Sequence, residues 1–423
     1  MRVLLLSYGS RGDVEPMVGL ATQLRALGAE VRMCAPPDFA ELLDGVGFPL
    51  VPLGRSIREM ATKAVTATKA VTTTTNPAPP TSISQRAAEM FAATYESVAA
   101  VAEGCDAVVA TGLLPAAAAA RAVAEKLGIP YVFVAYFPTY LPSPHHPPLA
   151  WPGRPVPPDV TDNQALWDLN AENLHELFGE AINTHRATIG LPPVDNVRDH
   201  VLTDRPWLAA DPTLAPWLEP ADLAVVQTGA WIRPDERPLP ADLETFLKAG
   251  APPVYVGFGS MPLRDAQDVT RAAIDAVRAQ GRRVLLSRGW ADLALTDDQD
   301  DCFAVGEVNQ QALFGRVAAV VHHGGAGTTT TAARAGAPQV VVPQMADQPY
   351  WAARVAELGV GAAHDGPTPT YESLTAALKT ALTPDTRTRA TALAAAICID
   401  GATTAAKRLL DAAVSGERRP ASA

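Results

Sequence analysis

The second half of the chain contains a stretch whose residue types could bind an anion. An apolar run over 318–321 is followed by His322, His323 and a turn of glycine, alanine and threonine that opens a predicted helix. The first N–H groups of a helix have no partner within the helix and lie at its positive dipole end, so they attract phosphate. Glycines let the backbone approach the anion closely, and a histidine beside the turn could stabilise the charge of a leaving phosphate. A tight turn without a ligand is the alternative, because the spacing is neither a Walker A nor a G-x-G-x-x-G motif.

Asp13 is the second candidate for chemistry. It lies in the sequence GSRGDVEP over 9–16, between the first predicted strand and the first predicted helix. A carboxylate at this place could remove a proton from a hydroxyl group as a general base. Aspartate is also a favoured helix cap, and the residue types alone leave both interpretations open.

Two further features of the sequence could indicate a metal or redox site: an acidic segment and the four cysteines. Residues 297–301 contain an Asp-x-Asp pattern, which metal-dependent transferases use. The pattern stands in a polar connection between predicted strands, so we interpret it as a solvated acidic loop and expect no metal. The four cysteines are far apart, without the spacing of a zinc site or a disulfide framework.

Short apolar runs alternate with amphipathic stretches along most of the chain, which predicts an α/β protein with parallel sheets covered by helices on both faces. In the first helix Met17, Leu20, Leu24 and Leu27 share a face, and Gly28 ends it. The predicted strands are 3–7, 31–35, 48–51, 106–111, 130–136, 253–257, 283–287, 302–305, 318–322 and 339–343. Further helices are predicted at 37–45, 115–127, 163–188, 266–280 and 385–415.

The length of 423 residues favours two domains. We predict an N-terminal domain over 1–215, a proline-rich linker over 216–250, a second domain over 251–400, and a C-terminal helix and tail over 401–423. Ligands of such sheets bind beyond the carboxyl ends of the strands, so we expect a cleft between two doubly wound domains. Residues 61–82 read as a mobile loop and 137–158 as an extended proline-rich loop.

Charge and hydropathy exclude several partners. The formal net charge is −11, whereas nucleic acids and anionic membranes need a basic face. No apolar run reaches the roughly 20 residues of a membrane span, and the apolar start breaks at Gly9, too early for a signal peptide. We therefore expect a cytoplasmic protein whose partners are small molecules. The two-domain fold favours a monomer.

The motifs together resemble the nucleotide-sugar signature of GT-B glycosyltransferases of the UDP-glycosyltransferase superfamily, two Rossmann-like domains facing across a cleft. The resemblance implies that His323 contacts the diphosphate and that Asp347 and Gln348, after the strand 339–343, bind the donor sugar. The family often has a tryptophan where Glu307 stands, so Trp290 is the candidate for stacking on the base, which is uracil or thymine. The remaining donor contacts implied are Ser10, Arg11, Gly12, Ser260, Val308, Gln310, Gly324, Gly325, Ala326, Gly327 and Thr328.

Stretches in both halves, among them 1–16, 226–231, 287–293 and 318–361, resemble the glycosyltransferases of vancomycin-group heptapeptide antibiotics. The resemblance implies an inverting, metal-independent enzyme without a cofactor, which moves a sugar from a UDP- or TDP-sugar to a hydroxyl of a vancomycin- or teicoplanin-type aglycone. Asp13 would be the catalytic base, with Asp347 as its partner at the sugar. Acceptor contacts are predicted at Tyr136, Phe137, Tyr140 and His145.

The Gly-Gly turn and the Asp-Gln pair after Met-Ala resemble the pattern of the family's glucose-type transferases, so the resemblance implies a glucose or N-acetylglucosamine donor. A vancosamine-type deoxysugar, another natural-product acceptor, a GT-B-fold nucleotide-sugar epimerase and a non-catalytic nucleotide-sugar-binding protein remain alternatives. Transfer that requires an added acceptor separates a glycosyltransferase from an epimerase, and turnover that depends on Asp13 separates an enzyme from a binding protein.

Overall fold

A computed structural model describes residues 1–61, 83–149, 154, 157–261, 263, 265–295, 297 and 299–414. Apart from residue 61, the predicted mobile loop 61–82 lies outside this range. Within the described residues no helix is both long and apolar enough to cross a membrane. Contacts divide the chain into two compact units: the first holds residues 1–210, 216–233 and 399–423, and the second holds 211–215 and 234–398.

The first unit is built on a seven-stranded sheet in the order β3-β2-β1-β4-β5-β6-β7, and its strand pairs are parallel. Its strands are β1 (Arg2–Tyr8), β2 (Glu30–Ala35), β3 (Leu50–Pro52), β4 (Ala107–Gly112), β5 (Tyr131–Ala135), β6 (Trp207–Leu208) and β7 (Val226–Gln227). Its helices are α1 (Arg11–Ala26), α2 (Ala40–Asp44), α3 (Ile83–Ala102), α4 (Leu114–Leu127), α5 (Asn163–Thr188) and α6 (Val197–Leu202), together with the C-terminal helix Gly401–Val414.

The apolar run of β1 explains why this sheet is covered on both faces. Val3 and Leu5 join a core cluster with α1 and with the C-terminal helix, whereas Leu4 and Leu6 join the cluster formed with α3 and α4. A strand buried on both faces needs an apolar residue at every position. The packing against α1 thus brings the end of the chain back onto the first unit.

The second unit is built on a six-stranded sheet in the order β10-β9-β8-β11-β12-β13, again with parallel pairs. Its strands are β8 (Val254–Gly257), β9 (Val284–Ser287), β10 (Cys302–Val305), β11 (Ala319–His322), β12 (Gln339–Val341) and β13 (Gly361–Ala363). Its helices are α7 (Ala241–Lys248), α8 (Ala266–Arg278), α9 (Gln310–Leu313), α10 (Ala326–Arg334), α11 (Gln348–Glu357), α12 (Tyr371–Ala381) and α13 (Pro384–Ala394), and the C-terminal helix of the first unit is α14. The order 3-2-1-4-5 at the start of each sheet is that of a Rossmann-like, doubly wound fold.

Some predicted elements differ in detail. Leu27 is 42% exposed, so its predicted place on the buried face of α1 is wrong; the helix ends at Ala26 and Leu27 is only its C-cap. The predicted helix 37–45 is a 3₁₀ turn followed by α2. The segment 216–250, interpreted as a linker, contains β7 in the first unit and α7 in the second.

Candidate active site

The turn after β11 leads directly into α10, as the sequence predicted. Gly325 is the N-cap residue of α10, and no side chain caps the helix. Thr329, Thr330 and Thr331 donate their hydroxyl protons to carbonyls four residues earlier, whereas Thr328 makes no such bond within the described residues. The N–H groups of the first turn of α10 are therefore left for an external acceptor, as an anion site requires.

His323 lies beside this turn and is half-buried. Burial lowers the pKa of its imidazole to about 4, and its Nδ1 atom is buried without a hydrogen-bond partner among the described residues. A Cβ at Gly259 would lie 2.9 Å from its Cε1, and one at Gly325 would lie 2.6 Å from its Nε2. The ring is therefore neutral at physiological pH and keeps one N–H that can be donated to an anion.

Three turns meet at the carboxyl ends of β8, β9 and β11, which are neighbours in the sheet. The turn after β8 carries Ser260, and its Gly259 lies so near His323 that a Cβ there would clash with the ring. The turn after β9 carries Trp290, whose backbone N–H donates to the carbonyl of Gly259 over 2.8 Å. Gly289 has a φ of +53°, and a Cβ there would lie 2.6 Å from that carbonyl oxygen. The fold thus places the turns of Ser260 and Trp290 next to the turn of His323.

Gln310 and Val308 lie at the start of α9. The Gln310 Nε2 donates to the hydroxyl of Tyr255 on β8 over 3.3 Å, and Val308 packs, half-buried, against an apolar cluster of the second unit. Glu307, where the family often has a tryptophan, accepts a bond of 3.0 Å from Arg237. This pair is exposed, so it contributes little stability.

Asp347 and Gln348 begin α11, but they face different partners. The Asp347 Oδ2 accepts the indole N–H of Trp351 over 2.7 Å. Gln348 is buried, and its Oε1 accepts the backbone N–H groups of Gln344 and Met345 over 2.7 and 3.1 Å. In this structure the Gln348 amide holds the turn before α11, and sequence reasoning did not anticipate this bond.

Asp13 is the third residue of α1, and Ser10 is the N-cap. The Asp13 Oδ2 accepts the Ser10 backbone N–H over 2.8 Å and the Ser10 hydroxyl over 3.3 Å, which completes a capping box. Burial raises the pKa of Asp13 to about 6, although the bonds from Ser10 act in the opposite direction. The carboxylate therefore caps the helix and is also tuned toward the pKa of a general base at neutral pH.

The residues beside Asp13 are held by local bonds. The Gly12 N–H donates to the Ser10 hydroxyl over 3.3 Å. Arg11 pairs with Glu15 over 2.7 Å, and Arg233 pairs with the same carboxylate over 3.0 Å. Burial alone would raise the pKa of Glu15, but the charges of Arg11 and Arg233 lower it.

Of the four residues predicted to contact the acceptor, the two tyrosines donate hydrogen bonds to backbone carbonyls. Tyr136 is buried, and its hydroxyl donates to the backbone carbonyl of Asp13 over 3.0 Å; Tyr140 donates to the carbonyl of Gly112 over 3.3 Å. Phe137 is half-buried against Tyr140, and His145 is exposed. Tyr136 therefore supports the backbone of the candidate base. The two residues are 123 positions apart, so the sequence did not predict this role.

The acidic segment 297–301 is not simply solvated, which corrects our interpretation. The Arg278 guanidinium pairs with Asp297 over 2.6 Å and with Asp301 over 2.7 Å. These bonds from Arg278 lower the pKa of both carboxyls. The segment is thus anchored to α8 by a double ion pair.

Comparison with known proteins decides the family. Residues 3–143 match the glycosyltransferase family 28 N-terminal domain, and residues 295–404 match the erythromycin biosynthesis protein CIII-like C-terminal domain. The glycosyltransferase GtfE of Amycolatopsis orientalis is 59% identical over 100% of this chain and 99% of its own length. The vancomycin aglycone glucosyltransferase of the same organism is 57% identical over 100% of both chains. The chain belongs to the vancomycin-group glycosyltransferases.

Solved glycosyltransferases confirm the GT-B fold. The glycosyltransferase VinC, crystallised with dTDP, has a TM-score of 0.67 at 22% identity over 98% of this chain and 100% of its own. The kitacinnamycin glycosyltransferase has a TM-score of 0.69 at 21% identity over 97% and 98% of the two chains. The prediction of two Rossmann-like sheet units is confirmed, and as a GT-B glycosyltransferase this enzyme uses a nucleotide-sugar donor.

Proposed function

We propose that this glycosyltransferase moves glucose or N-acetylglucosamine from a UDP- or TDP-sugar to a hydroxyl of a vancomycin- or teicoplanin-type heptapeptide aglycone, with inversion and without a metal ion. The observation that carries the acceptor class is the full-length identity of 57% to a vancomycin aglycone glucosyltransferase. Residues 1–215 would bind the acceptor and residues 251–400 the donor, with 216–250 as the connection and 401–423 as a terminal helix and tail.

Asp13 would take the proton of the acceptor hydroxyl as that oxygen attacks the anomeric carbon. Its pKa of about 6 suits this step, because a base with a pKa near the working pH is ionised and still accepts a proton. One direct displacement inverts the anomeric configuration. The Ser10 bonds hold Oδ2, which leaves Oδ1 as the atom for the incoming proton.

The diphosphate would leave onto the first turn of α10. The free N–H groups there and the neutral His323 can each donate to phosphate oxygens, and these fixed donors supply the charge stabilisation that a metal ion provides in other transferases. Ser260 and Thr328 would add hydroxyl donors, and Trp290 would stack on the base with Val308 and Gln310 along the ribose. Asp347 would bind the donor sugar, while Gln348 would act through the turn that it holds.

A deoxysugar donor is the second candidate. The dTDP-epi-vancosaminyltransferase of Amycolatopsis orientalis is 53% identical over 92% of this chain and 92% of its own. This identity is lower than the 57% to the vancomycin aglycone glucosyltransferase, so we favour the hexose donor.

A donor and acceptor matrix read by mass spectrometry tests the proposal. We expect product from UDP-glucose or UDP-N-acetylglucosamine with vancomycin or teicoplanin aglycone, none with a flavonoid or sterol, and no loss with EDTA. The anomeric configuration of the product, read by NMR, should be opposite to that of the donor. Product from dTDP-vancosamine alone would establish the second candidate, and a donor product formed without any aglycone would contradict both.

A further inference from the structure

His322 is the one histidine of the donor motif for which the proposed reaction has no use. It is the last residue of β11 and is completely buried. A buried imidazole must find hydrogen-bond partners, because an unpaired polar group in a dry interior is costly. The register places Val320 beside Gln339 on β12, so Gln339 shares a sheet face with His322.

Both ring nitrogens of His322 are occupied. Its Nδ1 accepts the backbone N–H of Gly324 over 3.1 Å, and its Nε2 lies 2.9 Å from the Gln339 Oε1. Because the Gly324 N–H can only donate, Nδ1 must be bare, and the proton of the neutral ring must be on Nε2. Turning the Gln339 amide over would present a donor to Nε2, and both nitrogens would then have to accept. The arrangement therefore admits one tautomer and one orientation of the amide.

The bond to Gly324 acts at the point where the chain leaves the sheet. Gly324 has a φ of +94°, and a Cβ there would lie 2.7 Å from the Val341 Cγ1 and 3.2 Å from the Gln348 carbonyl oxygen. Its N–H donates to His322. The next residue, Gly325, is the N-cap of α10, and a Cβ there would clash with the ring of His323. A change at Gly324 would shift both the His323 ring and the first turn of α10.

We infer that His322 is a positioning residue for the diphosphate: its bare Nδ1 holds the Gly324 amide, and Gln339 holds the tautomer that makes this possible. The inference rests on the proposed function, because it assumes that the turn of His323 and α10 binds a nucleoside diphosphate. Because both ring nitrogens of His322 already have protein partners, His322 would act on the diphosphate only through Gly324.

Two variants of similar shape isolate the bond. His322→Asn keeps an acceptor near the position of Nδ1, whereas His322→Leu has the same branching without one, and neither side chain is long enough to reach Gln339. Calorimetry with UDP and with dTDP on the intact chain should show affinity for His322→Leu weaker than for His322→Asn by roughly tenfold, the effect of one unsatisfied buried amide. The KM for the aglycone should be unchanged in both variants.

A purely structural role would lower the thermal unfolding midpoint of both variants without separating their nucleotide affinities. Equal UDP affinity in wild type and His322→Leu would overturn the inference. If His322→Leu fails to fold, ¹⁵N NMR of the wild-type histidines decides instead. The His322 signal is identified as the one that is absent from His322→Asn. We expect that signal to show a proton on Nε2, and a proton on Nδ1 would overturn the inference. If the wild type binds neither UDP nor dTDP, the proposed function fails, whereas the tautomer measurement tests the His322 bonds separately.

Discussion

Gly9→Ala should displace the carboxylate of the candidate base while leaving residue 13 an aspartate. A Cβ at residue 9 would lie 2.2 Å from the Asp13 Oδ2 and 2.5 Å from its Cγ. Since an ordinary contact is at least 3.4 Å, the carboxylate must move by about 1.2 Å. A misplacement of about 1 Å at a reacting group can cost about 10²-fold in rate, so we expect kcat to fall by about 10²-fold.

The fold should survive this change. The bonds of Asp13 to Ser10 form a helix cap, and weakening such a cap costs about 1 kcal/mol. The assay is kcat with UDP-glucose and vancomycin aglycone, beside calorimetric UDP affinity and thermal unfolding. Gly315→Ala is the matched control, because a Cβ there meets nothing within 4 Å. A Gly9→Ala enzyme with wild-type kcat would show that the position of the Asp13 carboxylate does not govern the rate.

Four further predictions follow from the geometry and from the raised pKa of Asp13. kcat/KM should fall about tenfold per unit below pH 6, because Asp13 with its pKa of about 6 must be ionised to act; a flat acid limb in the wild type would contradict this. The raised pKa means that Asp13 favours the folded state most below pH 3.8 and loses that contribution as the pH rises through about 6, so Asp13→Asn should remove this part of the pH dependence of the unfolding midpoint. Gly289→Ala should raise the donor KM at least severalfold with the acceptor KM unchanged, because its Cβ would push on the Gly259 carbonyl at 2.6 Å; equal donor KM values would show that the two turns act independently. Arg278→Met should lower the unfolding midpoint and leave kcat unchanged, since the ion pairs to the segment 297–301 lie outside the proposed site; a lower kcat in folded protein would place that segment in the mechanism.

The sequence predicted best those elements whose signals are local. The strand 302–305 and the helix 163–188 were predicted with the bounds that the structure shows. The same holds for the turn before α10, where an apolar run, glycines and threonines follow one another within a dozen residues. In contrast, β6 and β7 have two residues each, too few for any periodicity to appear.

The candidate base shows how the sequence and the structure complement each other. From residue types alone, Asp13 could be either a helix cap or a catalytic base. The structure shows that Ser10 is the N-cap and that Asp13 closes the capping box from the third position, with a raised pKa. The bond from Tyr136 to the Asp13 carbonyl joins residues 123 positions apart, so no pattern of spacing could have revealed it.

The decisive test of Asp13 as the catalytic base is the variant Asp13→Asn. It is assayed for glucose transfer from UDP-glucose to vancomycin aglycone, and its affinity for UDP-glucose is measured in parallel. The asparagine keeps a side-chain oxygen that can cap α1, but it cannot take up the proton of the aglycone hydroxyl. We predict a loss of turnover of about 10²–10⁴-fold with donor affinity within about twofold of the wild type. Turnover at the wild-type rate would contradict a catalytic role for Asp13, because Asp13 would then only cap its helix.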